Sequence, residues 1–122
     1  MDYGSVRVGL ARGSSAARLA EPLKTVPAAA AVAEIKKLIA ENEAAAIVVG
    51  LPRSLDGDDT QQTKLVRQWV KSIQSEVDAP FYWQDEALTS HAAAGAAEID
   101  AAAAAIILQD FLDTPEEERV RC

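Results

Sequence analysis

The sequence predicts an α/β fold in which one mixed sheet is flanked by helices. Two strand-like segments at the start, residues 6–10 and 19–26, predict a leading antiparallel hairpin. A continuous apolar run at residues 45–51 predicts a central strand that is covered on both faces. After that run, helical and strand-like patterns alternate along the chain, which is the order expected for a mixed sheet with crossover helices.

The predicted hairpin follows from local patterns in the first 27 residues. Residues 2–5 have the composition of a turn, and residues 6–10 alternate apolar with other side chains, the period of a half-buried strand. Pro22 lies inside the second segment and Pro27 closes it. Because proline has no N–H to donate, we expect a short or edge strand there.

Three longer helices and one further strand are predicted downstream. The segment 28–42 carries an apolar stripe, and a second helix begins at Asp59 or Thr60, which can cap it, and ends near Val77. Residues 81–83 begin a strand. Residues after Thr89 or Ser90 predict a short Ala-rich helix, and the last helix runs from about Glu98 to about Leu112.

Composition bounds the class of protein. The 122 residues predict one domain, residues 1–113, followed by an acidic, solvated tail at 114–122. The net charge of −7 argues against a nucleic-acid partner, although residues 110–122 contribute −3 of it and leave −4. A lone cysteine, the absence of a secretory pattern and the lack of a membrane-length apolar run predict a cytoplasmic protein without membrane partners.

Acidic residues mark the candidate site. Asp2 lies at the start of the predicted turn, Asp85 and Glu86 end the aromatic strand, and Asp100 lies in the first turn of the last helix. Strand ends of such a sheet meet at one edge, where active sites collect. Clustered carboxylates suit Mg²⁺ or Mn²⁺, and two such ions can activate a water and stabilise the leaving oxygen of a phosphodiester. Each acid is equally compatible with a cap or a solvated loop.

Several segments resemble motifs of the YqgF/RuvX family. Residues 2–11 resemble its opening D-x-G-x-x-R-x-G-x-A motif, and residues 19–23 resemble the strand that follows. Residues 48–57 resemble its VVGLP-x-x-x-DG signature, and residues 85–90 resemble its DERLTS segment. Residues 99–109 resemble its final helix, hD-x-xAA…ILQ. The resemblance covers nearly the whole chain in the same order.

The resemblance implies an RNase H-like fold and a metal-dependent nuclease. It implies Asp2, Glu86 and Asp100 as ligands of Mg²⁺ or Mn²⁺, with Asp85 as an adjacent catalytic residue. Three residues of its motifs are candidates for substrate binding: Gly4, which would let the backbone turn sharply beside the metals, Arg7, which could contact a phosphate or point to solvent from its strand, and Arg53. The substrate it implies is precursor 16S rRNA, cut at its 5′ end, with branched DNA as the alternative and ribosomal particles as further partners. A monomer and a homodimer both remain open, and resolution of a junction requires the latter.

The chain departs from the family pattern in three places. Only Met1 precedes Asp2, where the family has an apolar strand; Ala87 replaces the arginine after the acidic pair; and residues 91–98 lack the longer basic stretch of the family. These departures keep a second interpretation open, a non-catalytic RNA- or ribosome-associated module. A phosphate-binding domain of the actin and sugar-kinase type is disfavoured, because the chain is too short for two lobes.

Three other side chains have two interpretations each. His91, the only histidine, could order a water but is typical of a solvated helix start. Trp69 could stack on a base, but it lies on the apolar stripe of its helix, which predicts a core position. Tyr3 is the better candidate for an exposed aromatic ring beside Asp2.

Overall fold

The computed structural model describes residues 1–4, 6–53, 58–87 and 96–122, and it describes the side chains of these residues except 53, 86, 87 and 96–100. Six strands and three α-helices follow one another along the chain: β1 (Asp2–Tyr3), β2 (Arg7–Ser14), β3 (Leu19–Pro27), α1 (Ala31–Asn42), β4 (Ile47–Arg53), α2 (Gln61–Ile73), β5 (Phe81–Ala87), α3 (Ala96–Asp113) and β6 (Val120–Arg121). The predicted α/β class is confirmed, and the arrangement is consistent with an RNase H-like fold.

The strands form two three-stranded ladders that meet at Met1. β1, β2 and β3 are antiparallel neighbours, whereas β4 pairs parallel with β5 and β5 pairs antiparallel with β6. The Met1 nitrogen donates to the Val48 carbonyl at 2.6 Å, and the Gly50 N–H donates to the Met1 carbonyl at 3.0 Å. This pair of bonds has the pattern of a parallel bridge between Met1 and Val49. The resulting order across the sheet is β3-β2-β1-β4-β5-β6.

Apolar clusters cover both faces of this sheet. The larger cluster packs α1 and α2 on one face, where Met1, Val49 and Phe81 meet Ile35 of α1 and Val66 of α2. The smaller cluster on the other face joins strand residues to α3; its members are Val48, Tyr82, Ile107, Leu108 and Phe111. Burial on both faces explains why residues 47–49 form an unbroken apolar run, as the sequence predicted.

Small residues let α3 lie close to the hairpin. A Cβ built on Gly13 of β2 would come within 2.9 Å of Leu108 Cδ2 and 3.1 Å of Leu112 Cδ1, so the helix occupies the space that a side chain would need. The helix presents buried alanines on its inner side, among them Ala101 and Ala104. Gln109 fixes the far end of the contact: its amide donates to the Arg18 carbonyl at 2.9 Å and accepts from the Ala20 N–H at 3.0 Å.

Several predicted boundaries differ from the structure. Residues 2 and 3 form strand β1 and not part of a turn, because Asp2 and Tyr3 pair with Gly9 and Val8. α1 begins at Ala31, since residues 28–30 after Pro27 form a separate 3₁₀ turn. α2 ends at Ile73, short of the predicted Val77. The short helix predicted after Thr89 or Ser90 lies outside the described residues.

The last nine residues, predicted as a solvated tail, contain ordered backbone pairing. Val120 and Arg121 pair with Trp83 and Tyr82 at the outer edge of β5. The Arg119 guanidinium lies over the Phe111 ring at 4.5 Å from its centroid, which adds a cation–π contact. Within the described part of the chain, no helix combines the length and apolar character needed to cross a bilayer.

Candidate active site

Asp2 lies in the middle of the sheet and not in a surface turn. Its strand is held on one side by Met1 against β4 and on the other by pairing with Gly9 of β2. Met1 and Tyr3, its chain neighbours, both pack in the α1/α2 cluster. Because side chains alternate along a strand, Asp2 is directed to the opposite face, which is the α3 side of the sheet.

Gly4 makes the turn that follows Asp2 as tight as it is. Its N–H donates to the Arg7 carbonyl at 2.8 Å, and a Cβ built on it would stand only 2.9 Å from that same oxygen. Any side chain would therefore force the turn open. Arg7 begins β2, is exposed and pairs across the ladder with Pro27. The turn thus places the Arg7 backbone next to the segment that carries Asp2.

The acidic pair at the end of β5 is divided between the two faces of the sheet. Asp85 is opposite Leu51 in the parallel ladder, and Glu86 is opposite Pro52. Phe81 and Trp83 pack in the α1/α2 cluster, so alternation assigns position 85 to that face and position 86 to the α3 face. Asp85 is exposed, and the structure does not bring it to the face of Asp2. The side chain of Glu86 lies outside the described residues.

Asp100 belongs to α3, but not to its first turn as the sequence predicted. The described helix begins at Ala96, so Asp100 is its fifth residue. α3 contacts β1 and β2 on the face to which Asp2 is directed, and the helix therefore places position 100 on the Asp2 side of the sheet. The side chains of Asp100 and Arg53 lie outside the described residues, as does His91.

An aromatic pair supports β1 from behind. The Tyr3 ring stacks on Trp69 of α2 with 4.3 Å between ring centroids and 23° between the ring planes. Both rings are half-buried against the α1/α2 cluster. The core position predicted for Trp69 is confirmed, whereas the prediction of an exposed Tyr3 is wrong, because the residue belongs to a strand whose alternation turns it inward.

Thr63 connects α2 to the end of β4, a role that the sequence analysis missed. Its hydroxyl donates to the Pro52 carbonyl, and it also completes a reciprocal capping box with Thr60, whose N–H it accepts at 2.8 Å. Thr63 is fully buried. The T-x-x-T spacing is a capping signal visible in the sequence. It fixes the first turn of α2 at the edge where β4 and β5 end.

The described side chains do not by themselves form a metal site. Among them, no three Asp, Glu, His or Cys residues are grouped closely enough to hold an ion. Asp2 is the one member of the implied ligand set whose side chain the structure describes. The backbone nonetheless assigns positions 2, 86 and 100 to one side of the sheet. Their carboxylates would form a donor set of hard oxygens, which fits Mg²⁺ or Mn²⁺.

Two groups with shifted pKa values, Glu34 and Cys122, lie away from the proposed acidic site. The Lys24 ammonium donates to the Glu34 carboxylate, and this charged hydrogen bond lowers the pKa of Glu34 below its ordinary value of 4.5. This pair ties β3 to α1. Burial raises the pKa of Cys122 to about 12, and the nearby Arg67 guanidinium opposes that shift. Glu34 therefore stabilises the contact between β3 and α1, and Cys122 lies beside Phe81 at the start of β5. Neither group belongs to the proposed acidic site.

Comparisons with known proteins agree with the resemblance of the motifs. Residues 1–114 match the family model described as "RuvX: Holliday junction resolvase". A protein of Roseiflexus sp. (strain RS-1) is 39% identical over 93% of this chain and 92% of its own length. Relatives from Chloroflexus aurantiacus (strain J-10-fl) and Ralstonia pickettii (strain 12J) are 36% and 37% identical, over 84% and 83% of their lengths. Each of the three carries the name "Putative pre-16S rRNA nuclease".

Proposed function

This chain belongs to the RuvX family, a family of nucleases, and we propose that it hydrolyses a phosphodiester bond of precursor 16S rRNA during maturation of the 5′ end in the cytoplasm. The observation that carries the proposal is the register of the sheet. Asp2 and position 86 fall on the same face, one on each side of β4, and α3 brings position 100 to that face. Positions 2, 86 and 100, which come from distant parts of the sequence, thus belong to elements that share one side of the sheet.

We assign Asp2, Glu86 and Asp100 as the residues that hold one or two Mg²⁺ or Mn²⁺ ions. When bound, such ions supply electrostatic stabilisation of the charge that develops on a phosphodiester during hydrolysis. The carboxylates offer only oxygen ligands, and like charges so placed would repel one another without a cation. Asp85 is left out of this set, because the register assigns it to the opposite face.

The remaining residues of the proposed site position the substrate. Because Gly4 has no side chain and forms a tight turn close to Asp2, a phosphate can approach the Asp2 carboxylate without meeting a side chain at position 4. Arg7 follows that turn, and Arg53 ends β4 beside the Glu86 position. We propose that both guanidinium groups contact phosphate oxygens of the RNA, where arginine can form two parallel hydrogen bonds.

Asparagine substitutions test the carboxylate set. Asp100→Asn removes one metal ligand and one repulsive charge, so we expect unchanged or slightly higher stability without metal, weaker stabilisation by Mn²⁺ and loss of RNA cleavage. A ligand bound only by the native state adds about 2.7 kcal/mol at a hundredfold excess over Kd. Thermal melts with and without Mn²⁺, together with cleavage of a pre-16S fragment, measure all three quantities. Asp2→Asn should behave in the same way.

Asp110→Asn is the matched control, because it makes the same change at an exposed position of the same helix. It should leave the response to Mn²⁺ and the cleavage rate unaltered. If Asp100 instead serves only the helix dipole, its replacement would cost several tenths of a kcal/mol and leave cleavage intact. That result, or wild-type protein that binds RNA without cutting it in Mg²⁺ or Mn²⁺, would favour the non-catalytic RNA- or ribosome-associated module.

Branched DNA is the second candidate substrate, because the matching family model is described as a Holliday junction resolvase. Two symmetric cuts across a junction need two copies of the site related by a two-fold axis. The same preparation should therefore be offered a four-way DNA junction and the pre-16S fragment side by side. Paired symmetric incisions of the junction by a dimer, with the RNA left intact, would replace the ribosomal RNA proposal.

A further inference from the structure

Helix α2 carries positive charge that no acidic residue of the same helix offsets. α2 carries Lys64, Arg67 and Lys71 and contains no Asp or Glu, so it contributes +3 to a chain whose net charge is −7. α3 has the opposite character, with four acidic residues and no basic one between Ala96 and Asp113. The two helices cover opposite faces of the sheet. The helix α2 on one face of the sheet is therefore basic, and the helix α3 on the opposite face is acidic.

The lysines of α2 remain available to a partner. Lys64 and Lys71 are exposed, and within the described part of the chain neither forms an ion pair. Arg67 is already engaged, since its Nε lies 3.7 Å from an Asp59 carboxylate oxygen and its guanidinium lies over Trp83 at 5.5 Å. α1 differs in this respect, because Lys37 there is paired with Glu41 at 3.8 Å. Lys37 on α1 is thus balanced within its own helix.

The basic face of α2 begins at the edge of the proposed active site. Thr63, the residue before Lys64, donates to the Pro52 carbonyl at the end of β4. Six residues later, Trp69 stacks on Tyr3, the neighbour of Asp2. Lys64 and Lys71 are seven residues apart, which is about two turns and about 10 Å along the helix axis, so both lie on the same side of the helix. The two ammonium groups can therefore contact one nucleic-acid strand.

We propose that the exposed face of α2, defined by Lys64, Gln68 and Lys71, binds the phosphate backbone of the substrate strand, which crosses the edge where β4 and β5 end to reach the carboxylates assigned to the α3 side. The proposal rests on the proposed nuclease function and adds the surface that holds the nucleic acid. It also answers the objection from net charge. A chain at −7 can bind a polyanion through a local group of unpaired cations.

Salt-dependent binding tests this surface. The probe is a fluorescein-labelled RNA hairpin with a single-stranded extension, titrated without divalent metal so that it is not cut. Each phosphate contact contributes about 0.7–0.9 to the slope of log K against log salt. Replacing both lysines, Lys64→Gln with Lys71→Gln, should lower that slope by about 1.4–1.8 and weaken binding at 0.1 M salt by roughly 25- to 60-fold. Lys64→Arg with Lys71→Arg should restore both.

The matched control is Lys36→Gln with Lys37→Gln, which makes the same change in net charge on the exposed side of α1. It should leave the salt slope at the wild-type value. Equal losses in both double variants would mean that only total charge matters, and an unchanged slope in the α2 variant would mean that the face is idle; either result overturns the proposal. A change in mass by light scattering on replacing the α2 lysines would make the face a protein interface and would also overturn it.

Cleavage kinetics separate this inference from the proposed function. The α2 double variant should raise KM for RNA and leave kcat at saturation unaltered, because α2 covers the face of the sheet opposite to the one assigned to the carboxylates. If the wild type does not cut but the slope falls as expected, the proposed catalysis fails and the binding surface stands. If the wild type cuts and the slope does not fall, the binding surface fails alone.

Discussion

The stack of Tyr3 on Trp69 joins the strand that carries Asp2 to helix α2, and its strength can be measured. Ring centroids 4.3 Å apart and planes inclined by 23° place the pair in the stacked class, which contributes about 0.5–1.5 kcal/mol beyond the area it buries. Substitution by leucine removes each ring but keeps an apolar side chain. Because both rings are half-buried, we expect each single change to cost about 1–2 kcal/mol.

A double-mutant cycle isolates the interaction. Tyr3→Leu, Trp69→Leu and the double variant are unfolded in urea and followed by far-UV circular dichroism, which does not depend on the missing tryptophan. The double variant should be more stable than the sum of the single losses predicts, by about 0.5–1.5 kcal/mol. This difference is the stacking energy that the two single variants each lose once.

Tyr82 supplies the control cycle. Its ring lies on the opposite face of the sheet, 5.4 Å from Phe111 and tilted by 55°. Tyr82→Leu combined with Trp69→Leu should therefore be additive within about 0.3–0.5 kcal/mol, as for separated sites. If the Tyr3 cycle is additive to the same degree, Tyr3 does not stack on α2 in solution. The face assigned to β1, and with it the direction of Asp2, would then be wrong.

Three further changes probe the frame around the site. Gly13→Ala should cost about 1 kcal/mol and Gly13→Val about 2–3 kcal/mol in urea unfolding, because a Cβ meets Leu108 at 2.9 Å; a neutral valine would contradict the close approach of α3. Thr63→Val should cost about 2 kcal/mol, since it removes the acceptor of the Thr60 N–H in the capping box and leaves the Pro52 carbonyl without its donor; Thr63→Ser should recover most of the loss. The Lys24 ammonium lowers the pKa of Glu34, so the carboxylate stabilises the fold above pH 4.5 and this contribution fades as the pH falls through the lowered pKa. The stability gap between wild type and Glu34→Gln should therefore close on acidification in pH-dependent melts, and a gap that widens would refute the ion pair.

The central strand and the amphipathic helices could be predicted because their signals are local. The run at residues 47–49 is apolar because both faces are covered, and the stripe on α2 is unbroken from Val66 to Ile73. The turn predicted at Asp2 failed for a different reason. Asp and Gly favour turns by local propensity, but strand β1 is imposed by long-range pairing with Gly9 and with β4. No window around Asp2 contains those partners.

The sequence identifies the candidate residues of the site, but it does not predict on which face of the sheet each of them lies. The acidic residues and their place at strand ends are visible in the sequence, and the motif resemblance selected among them. Which of Asp85 and Glu86 shares a face with Asp2 depends on the register between β4 and β5, and a shift of one residue would exchange them. The packing of α3 against Gly13 could not be predicted either, because a glycine in a strand does not indicate which helix packs over it.

The bridge at Met1 is a seam in the sheet, that is, the junction between the hairpin ladder and the parallel ladder. Two backbone hydrogen bonds, from the Met1 nitrogen to the Val48 carbonyl and from the Gly50 N–H to the Met1 carbonyl, join the hairpin ladder to the parallel ladder. Asp2 lies on one side of this seam and the Glu86 position on the other, so an ion held by both would act as a clasp between two halves of the molecule. The exchange of the Gly50 amide hydrogen would then report the opening of the seam, and slower exchange with Mn²⁺ present would measure how firmly the clasp closes it.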